Sequence, residues 1–231
     1  MTAATRLQIP MTRFDAASGL LLMLFMSAGY VFGMQGMPDL TNGEDVMAWY
    51  RARGTLAGEI ACTLVTIAFF FTYWWLGVAT AWLRTAEKTD ARSGGQLTWI
   101  AFFGGVAFTT VFACALAFVL APAMLMDKGI STDAIYLMHT ASLLTGVTTA
   151  TCGPAFFIPM AIVAFRTGFL PRWLAWFTVL CAAGSVLPIF GAFTLEGPFN
   201  VGNGWIGIHA VAASWVGWSG VVSAWLLWMR R

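Results

Sequence analysis

Six apolar stretches, each long enough to cross a lipid bilayer, dominate this sequence and leave it few alternatives. They cover about 16–34, 56–83, 97–120, 134–165, 173–195 and 205–229, and a spanning helix needs roughly 20 apolar residues. The chain is 59% hydrophobic and 10% charged, whereas soluble domains carry about 25% charged residues. A soluble globular fold is excluded. Backbone polar groups in lipid need internal partners, so the reading is all-α: one bundle of six transmembrane helices forming a single domain. The second and fourth runs exceed what a hydrocarbon core about 30 Å thick requires, so they should tilt or project beyond it. Pro154, Pro159 and Pro188 are expected kink sites, because each lacks an N–H donor and crowds the preceding turn.

Basic residues orient the bundle. With the N-terminus cytoplasmic, the inner segments hold Arg6, Arg13, Arg84, Lys88, Arg92, Arg166, Arg172, Arg230 and Arg231, and the outer ones only Arg51, Arg53 and Lys128. That imbalance puts both termini inside. The outer side takes most acids: Asp39, Glu44, Asp45, Asp127, Asp133, Glu196 and Glu59 near the boundary. Arg6 and Arg13 precede no small-residue cleavage site, so the first run is expected to stay as a mature helix. In the outer loop 35–55, a short amphipathic helix is expected from Glu44 to Arg53, capped by Thr41 or Asn42 and lying on the outer surface of the bundle. The loop 196–204 is rich in Gly, Pro and Asn, which suits irregular turns.

Several function classes drop out. A net charge of +2 is too weak for a nucleic-acid partner or a polybasic membrane tether. Cys62, Cys114, Cys152 and Cys181 have neither C-x-x-C nor Cys/His ligand spacing, and read as packing residues. Metalloprotease, serine-hydrolase and phosphate-loop motifs are absent, so no catalytic residue is assigned and the chain reads as non-enzymatic.

Polar and small residues reveal the candidate interior faces. At about 3.6 residues per turn, Glu59, Thr63, Thr66, Tyr73, Gly77, Thr80 and Arg84 share one face of the second helix. His139, Ser142, Gly146, Thr149 and Gly153 share one face of the fourth, and His209, Ala213, Gly217, Gly220 and Ala224 one face of the sixth. Trp215, Trp218 and Trp225 fall on the other side of that helix, free to meet lipid or a partner. Small residues on such faces let helices approach closely or bound a cavity. Glu59, His139 and His209 stand at a similar outer depth and are the candidate ligand or metal residues, since ionisable groups in membrane segments mark sites. Two histidines limit the cofactor content to one bis-His haem or one metal ion. Basic and aromatic residues recur before the third and fifth helices, with Leu97-Thr98-Trp99-Ile100-Ala101 matching Leu174-Ala175-Trp176-Phe177-Thr178. Parallel repeats of this kind occur in some transporters.

Three segments carry a family resemblance: Arg13-Phe14-Asp15-Ala16-Ala17-Ser18-Gly19-Leu20, Glu44-Asp45-Val46-Met47-Ala48-Trp49-Tyr50, and Phe165-Arg166-Thr167-Gly168-Phe169-Leu170-Pro171-Arg172-Trp173-Leu174-Ala175-Trp176. With them the chain resembles a family of bacterial, often actinobacterial, membrane proteins known only as a domain of unknown function. The resemblance implies a six-helix protein of the bacterial inner membrane and transfers no site residue. The expected function is non-catalytic: binding a lipophilic small molecule, or joining a membrane assembly as a subunit, among membrane lipids. The alternatives are a haem- or metal-binding redox protein using His139 and His209, and a small transporter.

Overall fold

The computed structural model describes residues 11–38, 42–194, 197–199 and 206–229. Six α-helices occur among the described residues: α1 (Arg13–Gly33), α2 (Gly43–Glu87), α3 (Gln96–Leu125), α4 (Thr132–Thr167), α5 (Arg172–Val186) and α6 (Ile208–Trp228). No strand occurs among the described residues. All six helices, α5 together with the turn that follows it, are long and apolar enough to span a membrane. Arg6, Asp39, Thr41, Glu196, Arg230, Arg231 and most of the 196–204 loop lie outside the described residues. Below, the end of the bundle where α1 finishes and α2 begins is called the upper end.

The expected short helix is the first part of α2. Asn42 caps it, its side chain accepting from the Glu44 N–H at 3.0 Å, and Glu44 and Asp45 occupy the first turn, where the helix dipole favours acids. At Gly54 the backbone takes φ 73°, ψ 166°, a region essentially confined to glycine. The 43–53 segment therefore breaks from the spanning part of α2 without a loop. It buries Val46, Met47 and Tyr50, which makes it a cover for the upper end rather than a surface ornament. Pro154 and Pro159 lie inside α4, whereas α5 gives way to a 3-10 turn, Leu187–Ala192, at Pro188. α3 runs through Pro122 to Leu125.

Aromatic rings hold the middle together. Trp215 of α6 stacks on Phe108 of α3, with centroids 4.6 Å apart, and meets Phe156 of α4 edge-on at 4.8 Å. Trp218 packs against Phe156, Phe157 and Trp75 of α2, and its indole N–H donates to Thr178 Oγ1 of α5 at 2.9 Å. This corrects the expectation for α6, because Trp215 and Trp218 are buried while Ala213 and Ala224 are exposed. The indoles bury far more area than alanine or glycine, and the helix turns to suit them. Of the small face, Gly220 is buried against Met23 and Gly217 is half-buried with open space beside it.

A second correction concerns α2. Its buried face is Gly58, Ala61, Val65, Ala68, Thr72, Trp75, Ala79 and Trp82, while Glu59, Thr63, Thr66, Tyr73, Gly77 and Arg84 face outward and Thr80 is half-buried. The threonines need no neighbour. Thr63 Oγ1 donates to the Glu59 carbonyl at 3.0 Å and Thr66 Oγ1 to that of Cys62 at 2.8 Å, so their own helix satisfies them. The α4 face is as expected: His139, Ser142, Gly146, Thr149 and Gly153 are all buried. Ser142 Oγ donates to the Ala115 carbonyl of α3 at 2.6 Å, and a Cβ on Gly153 would stand 2.6 Å from Ser185 Cβ of α5.

At the lower end, α3 begins at Gly95 without a side-chain cap of its own. Glu87, buried at the end of α2, supplies one. Its carboxylate accepts from the N–H groups of Leu97 (3.0 Å) and Thr98 (2.9 Å) and from the hydroxyls of Ser93 and Thr98. An anion there satisfies unpaired N–H donors and the helix dipole together. Arg166 pairs with Asp90 at 3.3 Å, tying the two basic lower loops to each other. Exposed Trp99, Trp173, Trp176 and Trp228 ring the same end, as indoles do at a membrane interface. Glu87→Ala should remove the α3 cap and cost about 1–2 kcal/mol, read as a lowered thermal midpoint in detergent, with Glu87→Gln falling between it and wild type.

Candidate functional site

The seam between α1 and α6 is closed below and open above. Near the lower end, Ser223 Oγ accepts from the Leu20 N–H at 3.2 Å and donates to the Ala16 carbonyl, so its hydroxyl is inserted into the backbone ladder of α1. A Cβ on Gly19 would lie 2.5 Å from the Ser219 carbonyl oxygen. Such close approach requires small residues on both helices. Higher up, α1 presents Met26, Tyr30 and Met34, and α6 presents His209, Ala212 and Val216, with a cavity of about 370 Å³ between them. Val65 of α2 and Phe112 and Leu116 of α3 close it on the inner side. The volume is near the lower end of the range for small-molecule sites, roughly 300–1,000 Å³.

Polar groups gather at the mouth. The Tyr30 and His209 rings meet at right angles with centroids 5.6 Å apart. The 43–53 segment reaches the end of α1, where Arg53 Nη1 donates to the Phe32 carbonyl at 3.1 Å and Trp49 Nε1 to that of Gln35 at 3.4 Å. The first of these bonds satisfies a carbonyl that the helix C-terminus leaves unpaired, and the second holds the chain just beyond it. The Arg53 guanidinium lies over the Trp49 ring, 4.4 Å from its centroid, as a cation–π contact requires.

Under the same segment lies a buried polar pair. Tyr50 Oη donates to the Val119 carbonyl at 2.8 Å and stands 3.1 Å from His139 Nδ1. Pro122 removes the donor for the carbonyl just before, that of Phe118, and loosens the turn of α3 in which Val119 sits. A phenol has one proton, so with that proton on the carbonyl the imidazole donates from Nδ1 and keeps its lone pair on Nε2. Nε2 is buried and has no hydrogen-bond partner among the described residues. The Trp49 ring covers the imidazole edge-on at 5.8 Å.

The three ionisable candidates therefore fall in different settings. His139 is in the core beneath the 43–53 segment, His209 lines the cleft, and Glu59 is exposed on the outward face of α2. No group of three or more His, Cys, Asp or Glu side chains placed to hold a metal ion occurs among the described residues. Of the helix-face candidates, none of Thr63, Thr66, Tyr73, Ser142, Gly146, Thr149 and Gly153 lines the cleft, whereas Ala213 does. Tyr30, Tyr50 and Arg53 are the residues that sequence reasoning missed. The available signal was the run Trp49-Tyr50-Arg51-Ala52-Arg53 on a short helix joined to a span through a glycine.

No protein-family model matches the chain, and neither the curated proteins nor the solved structures contain a match to it. The Tyr50–His139 pair gives a direct check on the geometry. Tyr50→Phe leaves the imidazole Nδ1–H unpaired in the core, and should cost about 1–3 kcal/mol, seen as a lower thermal midpoint with unchanged helical content by circular dichroism.

Proposed function

We propose that this is a non-catalytic, multi-pass protein of the bacterial inner membrane that binds a lipophilic small molecule in the cleft between α1 and α6. The observation that carries the reading is the cavity of about 370 Å³, walled by Met, Val, Phe, Leu and Ala with polar groups confined to Ser27, Tyr30 and His209. Apolar walls with a few convergent polar groups are the usual form of a small-molecule site. Both termini are assigned to the cytoplasm, with the upper end outside. The lower end carries Arg84, Lys88, Arg92, Arg166 and Arg172, in keeping with the rule that short cytoplasmic segments are rich in Lys and Arg.

A second reading, that of a subunit in a membrane assembly, is favoured by the outward face of α2. Glu59 and Tyr73 are exposed there, and polar side chains on a spanning helix commonly pair with another helix. One experiment addresses both. Native mass spectrometry of the full chain in mild detergent should show a bound lipophile in wild type. Val216→Trp, which fills the cleft from α6, should reduce that occupancy severalfold while leaving the protein folded. Equal occupancy in the two proteins would exclude the cleft, and a partner mass retained in both would favour the subunit reading.

A further inference from the structure

We infer that the cleft takes a single-chain amphiphile with an anionic head, a carboxylate or a phosphate, held at the upper end by Arg53 together with Tyr30 and His209. This deepens the lipophile reading and rests on it.

Arg53 is the central observation. A guanidinium carries five N–H donors, and among the described residues it forms one hydrogen bond, to the Phe32 carbonyl. Its Nε is buried and has no partner among the described residues. It is half-buried, with its guanidinium over the Trp49 ring and against the last turn of α1. Yet among the described residues no carboxylate pairs with it. The ion pair formed among the described residues is that of Arg166 with Asp90 at the opposite end. Of the described acids at the upper end, Glu44, Asp45, Glu59 and Asp133 are exposed and form no ion pair, and Asp127 is engaged by Thr55 Oγ1 at 2.5 Å.

A desolvated cation without a counter-ion is costly, and a charge-assisted bond from carboxylate or phosphate relieves that cost, often through two parallel N–H···O bonds. The Phe32 carbonyl links the cation to the cleft, because it lies in the last turn of α1 between Val31 and Met34, which line the cavity together with Tyr30. His209, edge-on to Tyr30, offers a second polar group at the same mouth. Below them the walls are methyl, thioether and aromatic groups, and the gap is the width left between two helices that touch at Gly19 and Ser219. One chain fits that shape, with its head at the guanidinium and its tail along Met26, Val65 and Val216.

The test is a native mass spectrometry competition on the full chain in dodecyl maltoside, using oleate, oleoyl lysophosphatidic acid and oleyl alcohol as probes of equal chain length. At least one anionic probe should out-compete the alcohol by about tenfold or more. Arg53→Gln should bring that probe down to the level of the alcohol without changing alcohol binding, and Arg53→Lys should restore part of the difference. The better of the two anions identifies the head group. If the alcohol binds wild type as well as both anions do, the anionic-head inference is wrong and the cleft still binds lipophiles. If none of the three binds, or if Val216→Trp leaves all three unchanged, the lipophile reading falls and this inference with it.

Discussion

The inward packing of Trp215 and Trp218 sets the arrangement of everything around it. Lipid is as apolar as leucine, so helices in a membrane gain little from hiding methyl groups and depend on close packing and on matched polar groups. Here two indoles from α6 reach Phe108 of α3, Phe156 and Phe157 of α4, Trp75 of α2 and the Thr178 hydroxyl of α5. That contact fixes the rotation of α6. With the tryptophans pointing in, the residues about a third of a turn away, His209, Ala212 and Val216, face α1, and they form one wall of the cleft.

The number of helices and their approximate spans were legible because membrane thickness sets a length scale that sequence displays directly. The interior face of α4 was legible too. Along it every polar or small residue from His139 to Gly153 is buried, and no aromatic residue competed for the reading. The faces of α2 and α6 were misread for different reasons. Thr63 and Thr66 look like groups seeking a partner, but they are satisfied within one turn of their own helix. The glycine and alanine face of α6 looks like a contact surface, yet the tryptophans opposite carry more contact area. Periodicity shows which residues share a face; it does not say which face wins the interior.

The polar groups of the upper end were harder to see because they meet only through tertiary structure. Tyr50 and His139 are 89 positions apart, and Arg53 meets α1 through a bend that a single glycine permits. As a sequence feature Arg53 was one of three outer basic residues and the end of a short expected helix. Glu87 was hidden in the same way, since nothing local marks a carboxylate at the end of one helix as the cap of the next. In each case the missing information was the direction of a short connection, which hydropathy does not encode.

The Ser223 hydroxyl seated in the backbone of α1 has a consequence for how the chain is assembled. Its two partners, Leu20 and Ala16, lie 203 and 207 positions away. During synthesis α1 enters the bilayer long before α6 exists, and this serine cannot reach it until the intervening helices are in place. The seam is therefore the last joint to shut. Until then the cavity above it has no wall on the α6 side, so His209, Ala212 and Val216 complete the cleft only at the final step of assembly.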